Sequence, residues 1–159
     1  MDVVVVSTFE DFDETLDKRQ RGPGCEQKEA TQALLRHLLQ QPEDVVRKVD
    51  LLILDWKAPP KQGPKEVEVL RPKKIGLWGS REQLGARFPA SVWDVCICSQ
   101  TRRFVLDFAA QLKAKRHLAL LHDYNLPFGP WGQEQTEEQL KEHWKLCKSF
   151  ELLSASKHL

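Results

Sequence analysis

The side chains with chemistry to offer gather just after short apolar runs. The run Asp2–Ser7 (DVVVVS) is followed by Thr8, Glu10, Asp11 and Asp13. The run Leu51–Asp55 (LLILD) ends on Asp55 and leads into a proline-broken basic stretch, WKAPPKQGP. The run His117–His122 (HLALLH) ends on His122, and Asp123, Tyr124 and Asn125 come next. Acids in these places could hold a divalent cation or accept a phosphoryl group, and His122–Asp123 could act as a base and its orienting partner. They act together only if the runs that carry them lie side by side and point the same way.

Two further runs, Lys74–Gly79 (KIGLWG) and Trp93–Ser99 (WDVCICS), complete a set of five. They are continuous rather than alternating, and several are β-branched. That is the mark of strands covered on both faces in a parallel sheet. Helical patterns lie between them. Residues 26–41 carry a stripe of Ala30, Leu34, Leu35, Leu38 and Leu39, closed by Pro42. Residues 81–88 are opened by Ser80 and closed by Pro89. Residues 101–115 put Phe104, Val105, Phe108, Ala109 and Leu112 on one face, with Lys113, Lys115 and Arg116 at the end that suits the helix dipole. The last helix starts at Thr136 with Gln139 three residues on, a capping-box pattern, and carries Leu140, Trp144, Cys147 and Phe150 on one face. Residues 17–24 and 56–72 are expected loops, the second with a short extended piece at 66–70. Strand and helix alternation predicts an α/β fold: a three-layer Rossmann-like or flavodoxin-like domain, with a mostly parallel sheet of about five strands and helices on both faces. It spans residues 1–153, and residues 154–159 are a tail or the start of a further segment.

Bulk properties narrow the function classes. The chain has 159 residues, 41 % hydrophobic and 30 % charged, with a formal net charge of +1. That is one domain's worth of ordinary globular composition, and no global field drives it to nucleic acid or membrane. No apolar run is long enough to cross a bilayer, and no signal-peptide pattern opens the chain. The four cysteines, Cys25, Cys96, Cys98 and Cys147, lack the spacing of a zinc site. Cys96 and Cys98 share one face of a strand, and buried thiols in a reducing compartment is the expectation. The expected location is cytoplasmic or nuclear, with no metal and no cofactor.

Two local resemblances sharpen the alternatives. DLLILDWKAPPKQG is similar to the phosphoacceptor strand and loop of response-regulator receivers, which implies Asp55 as acceptor and Glu10 or Asp11 as metal ligands. The receiver's lysine–proline pair would fall where Leu126 precedes Pro127. NLPF at Asn125–Phe128 resembles the Asn-Leu-Pro-aromatic motif of adenine-N6 methyltransferases, which implies that Asn125 grips a target amino group. That family's glycine-rich loop and strand-closing acid would have to be GLWGS (Gly76–Ser80) and CICSQ, where no acid stands. No phosphate-cradling or dinucleotide glycine motif is present.

Binding residues form the remaining candidates. Lys57, Lys61, Lys65, Arg71, Lys73 and Lys74 make one basic group, and Arg102 and Arg103 belong to another. Trp56 beside the first group, Trp93, and Trp131 within PFGPWGQ lie at strand ends or in loops, where indoles either anchor partners or lid the sheet edge. Without a complete catalytic set, the expectation is a non-catalytic protein-interaction or scaffold module of a larger intracellular protein or complex, using Trp56, Lys57, Lys61, Arg102, Arg103 and Trp131. A protein partner is expected. Two alternatives stand. One is a Rossmann-type or degenerate enzyme, methyltransferase-like or phosphoryl-handling, using Asp11, Asp55, His122, Asp123 and Asn125. The other is a nucleic-acid-binding module through the basic Trp56–Lys74 loop.

Overall fold

Runs of valine, leucine and isoleucine cannot expose either side of a strand to water, so they stack into a sheet with cover on both faces. The computed structural model describes residues 1–12, 23–54, 75–79, 92–121 and 136–154. Strands β1 (Asp2–Ser7), β2 (Lys48–Ile53), β3 (Ile75–Gly79), β4 (Val92–Cys98), β5 (Lys113–Leu121) and β6 (Glu151–Ser154) form one sheet in the order β3-β2-β1-β4-β5-β6. Every neighbouring pair is parallel. A 3-10 turn, Phe9–Phe12, follows β1, and the helices are α1 (Pro23–Gln40), α2 (Arg103–Ala110) and α3 (Glu137–Lys148).

The pleat divides the sheet's side chains between two cores. Val3, Val5, Val49, Leu51, Ile53, Ile97 and Leu118 pack with Leu35 and Leu38 of α1. Val4, Val6, Leu52, Cys96, Cys98 and Ala119 pack with Val105, Leu106 and Ala109 of α2 and Cys147 of α3. Among the described residues one helix therefore covers one face and two cover the other, which makes the α/β layered fold doubly wound. The order is that of the dinucleotide-binding Rossmann frame.

Local signals explain the element ends, and several expectations shift. Helix α1 begins at Pro23, three residues before the expected start at 26; proline has no amide hydrogen to lose at a first helical position, so part of the expected loop at 17–24 is helix. The cap of α3 is as expected. Thr136 Oγ1 accepts from the Gln139 amide at 3.2 Å, and the Thr136 amide donates to Gln139 Oε1 at 3.0 Å. The helix expected over 101–115 ends at Ala110, and Lys113, Lys115 and Arg116 lie on β5 rather than at a helix end. Pairing of Lys113–Arg116 with Val92–Val95 outweighs their helical preference. A sixth, unexpected strand closes the sheet, because Glu151–Ser154 pairs with Leu118–Leu121; of the expected tail it takes only Ser154. The expected helix at 81–88 and extended piece at 66–70 lie outside the described residues.

The amino-terminal edge of the sheet is held by charges. Arg47 grips both Asp2 carboxylate oxygens, through Nε at 2.9 Å and Nη2 at 2.5 Å. The Asp2 amide donates to Asp94 Oδ2 at 2.8 Å, and Lys115 Nζ lies 3.2 Å from Asp94 Oδ1. Bonding to the Arg47 guanidinium holds Asp2 below the usual aspartate value, and bonds from the Asp2 amide and Lys115 do the same for Asp94. A carboxylate whose folded pKa is depressed adds stability that is fully present above its unfolded value and is lost as pH falls through the folded one. Stability should therefore decline on acidification below the ordinary aspartate pKa of 3.8. Asp2→Asn should flatten that decline in urea titrations between pH 5 and 2; an acid limb identical to wild type would remove this pair from the account.

Candidate functional site

In doubly wound sheets, ligands bind outside the carboxyl ends of the strands where the strand order reverses. Here the chain runs outward from β1 to β2 and β3, then returns to β4, so the reversal lies between β1 and β4. The strand ends share one edge: the Leu54 amide donates to Ser7 O at 3.0 Å, and the Ser99 amide to Val6 O at 2.9 Å. Ser7 and Thr8 leave β1, Ser99, Gln100 and Thr101 leave β4, and Gln27, Lys28 and Thr31 face in from α1. All of these side chains are buried, as is Asp11 on the 3-10 turn.

Asp11 is the hub of this polar cluster. Its carboxylate accepts from Ser7 Oγ at 2.5 Å and from Gln27 Nε2 at 2.6 Å. Thr31 Oγ1 lies 3.2 Å from Asp11 Oδ2 and 3.0 Å from Gln27 O, so its single proton serves one acceptor at a time. Gln32 Nε2 donates to the Asp11 carbonyl at 3.2 Å. Across the reversal point, Gln100 Nε2 donates to Thr8 Oγ1 at 2.9 Å and ties the end of β4 to the end of β1. Both Asp11 carboxylate oxygens are thus engaged in locking β1 to α1. A cation at Asp11 would have to displace Ser7 or Gln27 from it. An incoming phosphate would meet a buried carboxylate where dinucleotide-binding proteins offer backbone amides and glycine. Among the described residues no group of three or more His, Cys, Asp or Glu side chains is placed to hold a metal ion.

Of the sequence candidates, Asp11, Arg102 and Arg103 fall within the described residues; Asp55, Trp56, Lys57, Lys61, His122, Asp123, Asn125 and Trp131 lie outside them. Arg102 is the N-cap of α2, with extended backbone and no side-chain cap bond. Arg103, on the first turn of α2, bonds Glu142 Oε2 of α3 at 3.0 Å and lies 3.7 Å from Asp107. These residues, with Lys145, Leu146 and Ser149, line a surface groove of about 350 Å³ between α2 and α3. His143 of α3 is buried, with Nε2 2.6 Å from the Thr101 carbonyl. Trp93, one of the indoles left open between partner anchoring and lidding the sheet edge, is buried in the core, and its Nε1 donates to Asp50 Oδ2 at 2.9 Å.

Sequence reasoning missed Gln27, Thr31 and Asp50. Gln27, Thr31, Leu35 and Leu38 are buried positions of α1 that recur at helical spacing, so the first two prolong the leucine stripe with polar side chains. A polar residue in line with a buried stripe signals a buried hydrogen-bonding partner. Asp50 sits within KVDLLI, whose first three residues the expected strand left out.

Cys96, Cys98 and Cys147 are free, buried and share one core. Burial, then the neighbouring Cys96, pushes the Cys98 thiol well up, and burial pushes Cys147 up to about 11. Thiolate is the reactive form, so Cys98 and Cys147 should resist a thiol reagent until the chain opens. In mass-mapped alkylation, native labelling of Cys98 and Cys147 should be slower than in denaturant by about a thousandfold or more, the factor set by an opening of several kcal/mol. Labelling at the denatured rate would overturn their burial.

The chain shows no significant match to any family model, to the curated proteins or to the solved structures.

Proposed function

We propose that this chain is a non-catalytic interaction module of a larger intracellular protein or complex, built on a nucleotide-binding type of frame whose ligand crevice its own side chains fill. The observation that carries the reading is the Asp11 cluster at the strand-order reversal, together with the Gln100–Thr8 bond that spans it. Polar groups that a ligand would use are spent on holding β1, β4 and α1 together. Recognition then falls to the exterior, where Arg103, Glu142 and Lys145 give the α2–α3 groove a charged rim. Trp56, Lys57, Lys61, Arg102 and Trp131 are the other proposed contacts.

One feature supports the enzyme reading instead. The β3-β2-β1-β4-β5-β6 order is the frame that dinucleotide enzymes use. Thermal unfolding against S-adenosylmethionine, nicotinamide and adenine nucleotides, each with and without Mg²⁺, separates the two. A true ligand at a hundred times its Kd adds about 2.7 kcal/mol to the folded state, a rise of several degrees. The interaction reading expects no rise with any of them, and a saturable rise with one would replace it by the enzyme reading.

A further inference from the structure

We draw no further inference here: the strongest candidate, the cationic N-terminal end of α2 beside the β4 end, where Arg102 and Arg103 would suit an oxyanion, is a helix end whose Arg103 is already bound to Glu142 and at which no second feature among the described residues points to a ligand.

Discussion

Asp11→Ala should lower the unfolding free energy by about 3 kcal/mol or more, the loss expected when a buried acceptor is removed from several buried donors at once. Ser7 and Gln27 donate to this carboxylate, Thr31 shares its one proton between it and the Gln27 carbonyl, and all three are fully buried. Truncation leaves them without it in a space that water enters only at an ordering cost. Asp11→Asn keeps the shape but replaces an accepting oxygen with a donor facing donors, so it should fall between wild type and alanine. Ser7→Ala and Thr31→Val should each cost about 1 kcal/mol and be strongly non-additive with Asp11→Ala, because each removes a bond that the alanine variant has already lost. Urea unfolding with an unchanged m-value is the measurement. The sign is decisive for function. Acids held in place for chemistry are commonly kept at a cost to stability, so their removal is neutral or stabilising. A stable Asp11→Ala protein would return Asp11 to the list of ligand-binding groups.

Much of the frame was legible because its signals are local and mutually consistent. Val3–Val6 and Leu51–Leu54 are apolar on both sides of the pleat, so parallel burial follows from the residues alone. Thr136 and Gln139 announce a helix start that needs no tertiary information. What the sequence concealed depends on partners distant along the chain. Lys113–Arg116 looks like the basic end of a helix until Val92–Val95 is there to pair with it. Glu151–Ser154 is too short to register as a strand without β5 beside it. The direction of the strands, on which any shared site depends, was expected correctly, and Ser7, Leu54 and Ser99 do meet at one edge. Asp11, a candidate only under the enzyme alternative, is bonded to Gln27 and Thr31 of α1. Asp11 and Gln27 are 16 residues apart in sequence, and no local pattern pairs them.

Asp50 and Trp93 should behave as one unit, and the strand order is the reason. Asp50 lies on β2 and Trp93 on β4, with β1 between the strands that carry them, so their 2.9 Å contact spans a neighbouring strand. Asp50 is 1 % exposed, and Lys48 Nζ approaches its Oδ2 at 3.5 Å from the exposed end of β2. Asp50→Ala leaves a buried indole N–H without this acceptor, and Trp93→Phe leaves a buried carboxylate without this donor. Each single change should cost about 2–3 kcal/mol, the range for losing one side of a buried charged hydrogen bond. The double variant should cost little more than the worse single one, with a coupling energy of about 1.5–3 kcal/mol. Replacing both groups by apolar ones of similar size, Asp50→Leu with Trp93→Phe, should recover part of the loss, since desolvating the carboxylate is then no longer required. Additivity of the alanine and phenylalanine variants within about 0.5 kcal/mol would mean that the two side chains do not meet. The placement of β1 between β2 and β4 would then lose its side-chain support, and with it the crevice in which Asp11 is held.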